Sequence, residues 1–419
     1  MSEWHDTTIG DLGAVVTGST PSSKHPDWFG DVLPFVTPSD MTFGDRRPRP
    51  DRWLSQSGRD GLRTRVVPPG SSAFVCIGAT IGKVCLMEAE VVTNQQINTV
   101  VPGRDTDGRF LYSLLRYLAP VVAKGASGAA TPIINKSAFS AIPARVPDIA
   151  TQIQIGNVLG SIDDLIENNR RRVEVLEEMA RAIYGEWFVK FRYPGHEDVP
   201  LVDSALGPIP EAWSVGTVGS LGRVVTGSTP STKQPSFWGT RGDTPFLTPS
   251  EMGWQKLLAT PQRYLSDAGV ANLRGRLLPA GAVCFACIGS IGKICVTVEP
   301  CVTNQQVNSL IVDLDVTSKE FAYEALGAAA KVIKLMASGA ATPIINKSSF
   351  ERIRLVVPPA PLAHRFSNEV GPLHMQILGL ERLSKRLAEI RDLLLPKLVT
   401  GQIDVSTLDL DALLEGAVS

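Results

Sequence analysis

The sequence predicts an α+β protein: two similar mixed α/β domains separated by two long helices packed as an antiparallel coiled coil, with an internal pseudo-two-fold. Three observations carry this. The first half of the 419 residues recurs in the second. Each copy runs into a stretch whose apolar residues fall alternately four and three apart. Within each copy, β-branched segments are bounded by Gly, Pro and Ser clusters.

The repeat is legible motif by motif. LGAVVTGSTPS from Leu12 returns as LGRVVTGSTPS from Leu221, and PFVTPSDM from Pro34 as PFLTPSEM from Pro245. RWLS from Arg52 returns as RYLS from Arg263, and CIGATIGKVC from Cys76 as CIGSIGKIC from Cys287. VTNQQIN from Val92 returns as VTNQQVN from Val302, and ASGAATPIINKS from Ala126 unchanged from Ala337. The offset is 209 at Leu12 and 211 at Ala126, so this is one duplicated unit and not a solenoid of short repeats. The first domain is placed at residues 1–150 and the second at 210–360. Strands are expected over 73–77, 84–87 and 97–101, then a helix over 110–123, matched by 319–336.

The central helix is predicted over 151–191, with Ile155, Leu159, Ile162, Ile166, Val173, Leu176, Ala180, Ile183 and Trp187 on its seam. Its partner is predicted over 361–399, with Phe366, Val370, Leu373, Ile377, Leu380, Leu387, Leu394 and Leu398. At about 1.5 Å per residue each is a rod of roughly 60 Å. Thr151 with Gln154 is expected to form a capping box, Pro361 suits a first turn, and the seam should run unbroken through Gly160. Asn169, Ser384 and Arg391 interrupt the seam; such polar positions fix register at a cost in stability. Residues 192–209 read as a linker and 400–419 as a short tail.

Composition narrows the class. Apolar (43%) and charged (20%) fractions are those of a soluble globular protein, and a net charge of −1 means that any anion-binding face is local. No apolar run reaches the roughly 18 residues that span a bilayer, and MSEWHD has no signal-peptide character, so a cytoplasmic protein without membrane contact is expected. Cys284, Cys287, Cys295 and Cys301 fit no common zinc spacing, and the first copy has only Cys76 and Cys85. Reduced, strand-buried thiols are expected instead. The segment from Gly78 to Lys83 has three residues between its glycines where a phosphate loop has four, and Val84 where that loop has Ser or Thr; a tight turn between strands fits better.

A duplicated domain on paired antiparallel helices suits a target with two separated, symmetry-related sites, as duplex DNA presents about every 34 Å. In this order, TGSTPS, TPSD, IGATIGKV, TNQQIN, GAATPIINKS, a long helix closing in EWFVKF, and a second copy closing in LLPKLVTGQI, the chain resembles the DNA-specificity subunit of type I restriction-modification enzymes over essentially its whole length. The resemblance implies a non-catalytic subunit whose two target recognition domains each read half of a bipartite sequence in double-stranded DNA. It implies further that the helices dock two adenine-methyltransferase subunits, with two restriction subunits joining for cleavage. S-adenosylmethionine, ATP and Mg would then belong to those partners, with no cofactor bound by this chain.

Candidate DNA contacts follow from residue chemistry. The hydroxyl-rich turns offer Ser19 and Thr20, with Lys24 beyond them, and Ser228 and Thr229 with Lys233, either as phosphate donors or as turns satisfying their own backbone. Ser39 and Ser250 sit in the TPSD and TPSE turns. Lys83 and Lys293 are candidates to face a phosphate. In the unchanged segment Thr131, Lys136, Thr342 and Lys347 are candidates, while Asn135 and Asn346 stand where N-caps belong. The main arginine cluster is Arg46, Arg47, Arg49 and Arg52, with Arg59, Arg63 and Arg65 beyond; its thinner counterpart is Lys256 and Arg263, then Arg274 and Arg276. The copies differ most here, so base preferences should diverge here. Arg170, Arg171 and Arg172 read as a solvated helix face.

The sequence has no NPPY or DPPF run for a flipped adenine, no methyl-donor loop, no nucleophile set beside a His, and no metal spacing among its five histidines. Two alternatives stand beside the DNA reading: a two-lobed protein-binding adaptor, and an autonomous DNA-modifying enzyme with an unrecognised site.

Overall fold

The computed structural model describes residues 4–126, 133–253, 257–336 and 344–407. The chain divides into two compact units, Met1–Asn169 with Arg382–Ser419, and Arg170–Glu381. Each unit holds one sequence repeat and a part of each long helix.

In unit 1 an antiparallel sheet runs in the order Gly13–Thr17, Ile97–Pro102, Ser72–Val75, Val84–Leu86. Side chains alternate across it, as period-two geometry requires. Phe74, Val84, Leu86 and Val100 face the helix α1 (Gly108–Ala126), which presents Phe110, Leu111, Leu114 and Leu115. Ala73, Val75, Cys85 and Ile97 face the other way, onto Val36, Met41, Val67 and Val91. Covered on both faces, the strand Ile97–Pro102 carries no polar alternation. Three of the residues it faces belong to a second sheet, in the order Phe29–Gly30, Arg52–Leu54, Leu33–Val36, Val91–Thr93, Val66–Val67, whose one parallel pairing is between Leu33–Val36 and Val91–Thr93. The strands His5–Thr8 and Pro143–Val146 pair to close the domain.

Unit 2 repeats this plan. Its sheet runs Gly222–Thr226, Val307–Val312, Val283–Ala286, Ile294–Val296, backed by a helix at Lys319–Met336 and by a second sheet built on Thr244–Leu247 and Val302–Thr303. The six cysteines are free and buried, in these strands or at their ends. Burial pushes the thiols of Cys76 and Cys287 up to about 11 and about 12. No group of His, Cys, Asp or Glu suited to a metal occurs among the described residues.

The central helix, α2, spans Ile149–Tyr184 and is continuous through Gly160; a five-residue π turn follows at Gly185–Val189. The helix near the C-terminus, α4, spans Ala360–Val399, with α3 naming the helix Lys319–Met336. In unit 1, Ile155 and Leu159 share a cluster with Leu395, Leu398 and Val399, and Ile162 joins Leu387, so rising numbers on α2 meet falling numbers on α4. In unit 2, Val173, Ala180 and Trp187 share a core with Phe366, Val370, Ile377 and Leu380, and the Trp187 and Phe366 rings lie 5.8 Å apart. The helix start corrects the capping-box expectation. Asp148 caps α2, its carboxylate accepting from the Thr151 amide at 3.0 Å and hydroxyl at 2.9 Å, so the Thr151 hydroxyl is a donor to the cap. No helix among the described residues is long and apolar enough to cross a membrane.

Candidate nucleic-acid interface

Motifs far apart in the sequence meet at the end of the main sheet in each unit. The TGST turn lies flush on TNQQ: the Gly18 amide donates to Ile97 O at 3.1 Å and the Ser19 amide to Thr93 O at 2.8 Å. Gly18 is required there because a Cβ would sit 2.2 Å from the carbonyl oxygens of Thr93 and Asn94. The Thr17 hydroxyl donates to Asn98 Oδ1 at 2.7 Å, Thr20 donates to Gln95, and Arg65 holds Thr17 O at 3.0 Å. Unit 2 reproduces each contact, with Thr226 on Asn308 at 2.7 Å, Thr229 on Gln305 at 2.7 Å, Arg276 on Thr226 O, and Gly227 pressed on Thr303 and Asn304.

The neighbouring motifs support one another in the same way. In TPSD the Asp40 carboxylate accepts from the Thr37 amide at 2.7 Å and the Thr37 hydroxyl pairs with exposed Ser39 at 2.7 Å; Glu251, Thr248 and Ser250 do the same. Between the strands Ser72–Val75 and Val84–Leu86 the chain makes the expected tight turn, with Gly78 and Gly82 at φ 80° and 91°. That turn sends Lys83 Nζ to Pro38 O at 2.9 Å, and its counterpart sends Lys293 Nζ to Pro249 O at 2.8 Å. Both ammonium groups are thus engaged by a protein carbonyl.

The remaining candidates separate by environment. Lys24 and Lys233 are exposed beyond the TGST turns. Lys136 and Lys347 open short helices capped by Asn135 and Asn346, whose side chains accept from Ala138 N and Ser349 N at 2.8 Å each. Lys347 lies 3.5 Å from Glu351. The guanidinium of Arg52 sits 5.2 Å from the rings of both Phe29 and Phe35, and that of Arg263 sits 5.2 Å and 5.0 Å from Trp238 and Phe246. Arg49 is exposed. Thr131, Thr342 and Lys256 lie outside the described residues.

Arg46 and Arg47 point inward. The Arg46 side chain is buried against α2, donating to Gly160 O at 3.2 Å, to Glu88 at 3.1 Å and to Asp164, and Arg47 meets Glu88 at 2.6 Å. Sequence reasoning grouped them with Arg49 on type alone; the signal it missed is that their counterparts are Leu257 and Leu258. It also missed Gln95 and Gln305, the exposed acceptors under the TGST turns, although TNQQ is repeated.

The duplicated turn cluster defines a class of chain built from two like modules, and comparison says which. The chain belongs to the type I restriction modification DNA specificity domain family, whose model matches residues 1–178 and 210–364. It is 25% identical over 413 residues to the type I restriction enzyme MjaIX specificity subunit of Methanocaldococcus jannaschii, covering 97% of this chain and 95% of that one. It is also 25% identical over 475 residues to the HindI specificity subunit of Haemophilus influenzae, covering 96% and 100%. Its fold is similar to the crystal structure of the type I restriction-modification S subunit from M. genitalium, with a TM-score of 0.59 at 16% identity over 95% and 96% of the two chains.

Proposed function

We propose that this chain is the specificity subunit of a type I restriction-modification complex, a DNA reader with no chemistry of its own. Residues 1–150 and 210–360 serve as target recognition domains, each reading one half of a bipartite duplex site. Residues 151–191 and 361–399 form the spacer helices, with a linker at 192–209 and a tail at 400–419. Two methyltransferase and two restriction subunits assemble on it in the cytoplasm and bring S-adenosylmethionine, ATP and Mg.

The observation that carries this reading is the doubled turn cluster. Its internal contacts are the same in both units, whereas the segment beside it differs: residues 42–51 read TFGDRRPRPD and 253–262 read GWQKLLATPQ. Shared exposed groups suit what every duplex has in common, its phosphates. On this reading Lys24, Lys233, Lys136 and Lys347, with Ser19, Thr20, Ser228 and Thr229, hold the backbone. Arg49 lies within the divergent segment of unit 1, and Ser39 and Arg52, with Ser250 and Arg263 in unit 2, flank the divergent segments that choose bases. The inward Lys83, Lys293, Arg46 and Arg47 serve the scaffold.

The test is a randomised duplex library offered to the chain assembled with its methyltransferase. Methylation of one sequence in two parts with an unread gap is expected; a single contiguous site overturns the proposal. Labelled S-adenosylmethionine given to the chain alone should transfer nothing to DNA. Transfer would favour an autonomous enzyme, and DNA binding that is flat across a salt titration would favour an adaptor.

A further inference from the structure

The loop of unit 1 over residues 37–51, which contains the divergent segment 42–51, has no strand or helix of its own, so something else must hold it in place. Arg46 does. Its side chain is 6% exposed, beneath a loop whose Ser39, Phe43 and Arg49 are exposed. The guanidinium donates Nη1 to Gly160 O at 3.2 Å and Nη2 to Glu88 Oε1 at 3.1 Å and to Asp164. Asp164 is held from its other oxygen by Arg109 at 3.3 Å, and Glu88 is shared with Arg47 at 2.6 Å. Gly160 makes room for this: a Cβ there would lie 2.8 Å from Arg109 Nη1. Three cations and two carboxylates, with Glu167 3.8 Å from Arg47, thus join the loop, the bend at Glu88, α1 and α2.

Unit 2 holds its loop without an arginine: the Leu257 amide donates to the Glu177 carboxylate on α2 at 3.2 Å. At the positions of Arg46, Arg47, Glu88, Asp164 and Glu167 it carries Leu257, Leu258, Val298, Met375 and Leu378. These five line a cavity of about 590 Å³. One unit fills this place with an ion network and the other leaves a mainly apolar hollow, with Lys319, Glu320 and His374 in its lining, although the sheets behind both are alike.

We infer that Arg46 is a positioning residue for DNA reading: by tying residues 37–51 to α2 it sets where the base-choosing side chains of the first domain stand, without touching DNA itself. The inference rests on the proposed reading of half-sites. It explains why the arginine at 46 is buried while Arg49, three residues on, is exposed.

The experiment uses the full chain assembled with its methyltransferase and compares methylated sequences from a randomised library for the wild type, Arg46→Leu, Arg46→Lys, and the triple variant Arg46→Leu, Glu88→Val, Asp164→Met. The triple variant carries unit 2's residues at these three positions; Arg47 keeps Glu167 at 3.8 Å and Arg109 is partly exposed, so it guards against simple unfolding. Arg46→Leu and the triple variant should each lose at least tenfold discrimination in one half-site, with the other half-site and the gap unchanged, and Arg46→Lys should recover part of it. The slope of log affinity against log salt should not move, whereas loss of a phosphate contact would lower it by about one. Unchanged discrimination in both variants, equal loss in both half-sites, or a lowered salt slope would each overturn the inference. A wild-type complex with no two-part preference would instead overturn the parent reading.

Discussion

Arg391 donates to Asp163 at 2.7 Å across the antiparallel helix pair of unit 1, and the two side chains are 6% and 5% exposed. Burial alone would weaken the hold of Arg391 on its proton, but Asp163 and Asp392 outweigh it and the guanidinium is stabilised in its charged form. In unit 2 the corresponding positions are His374 and Ala180. The pair therefore fixes register in one half of the seam only, because sliding α4 along α2 would separate two buried opposite charges.

Asp163→Leu, which leaves Arg391 only the exposed Asp392, is expected to cost about 3 kcal/mol in denaturant unfolding. Adding Arg391→Leu should recover most of that loss, since a well-packed apolar pair is often as stable as the ion pair it replaces. A double variant no more stable than the single one would contradict this.

Gly18→Ala and Gly227→Ala each push a methyl group onto two backbone carbonyls, which cannot swing aside as a side chain can. Each should destabilise its unit by about 1–3 kcal/mol and weaken DNA binding. Thermal unfolding and affinity should move together; unchanged unfolding would mean that the turn is not seated as described.

The salt dependence of DNA binding separates exposed from inward lysines. Lys24→Ala and Lys233→Ala should each lower the slope of log affinity against log salt by about one. Lys83→Met should leave the slope unchanged while lowering the melting temperature, because its ammonium serves Pro38 O.

Two groups, buried Glu324 and partly buried His374, give unit 2 opposed pH dependences. Burial raises Glu324 from 4.5 to about 7, against Arg181, so between those values the folded state holds more protons than the unfolded and stability falls as pH rises. Over the full range this amounts to about 3 kcal/mol. Burial lowers His374 from 6.5 to about 4, so there the unfolded state takes up the proton and stability falls as pH drops. The two effects oppose each other between pH 4.5 and 6.5. Glu324→Gln should expose the loss toward acid, and His374→Phe the loss toward neutral pH, in denaturant unfolding followed from pH 4.5 to 7.5. Parallel profiles for both variants would rule this out.

The duplication, the antiparallel seam and the strand segments at the sheet centre were all legible in the sequence, because each is a local periodicity or a repeat. The strand expected over 97–101 is Ile97–Pro102, and the helix expected over 319–336 has those bounds. The cap on α2 was misread because Thr151 and Gln154 match the capping pattern, and only the placement of Asp148 shows which side chain accepts. The repeated motifs announced a site but not their division of labour. TGST and TNQQ contact each other, as do TPSD and IGKV, and neither contact has a linear signature.

The sequence by itself determined that this chain is one module made twice, since repeated motifs and seven-residue spacings survive without knowledge of any distant contact. Only the tertiary structure decided the fate of the charges. Arg46 and Arg49 are alike on paper, yet Arg46 is buried by Glu88, 42 positions away, and by Asp164, 118 positions away. A buried cation is tolerable only where such carboxylates converge on it, and that convergence exists only after the chain has folded.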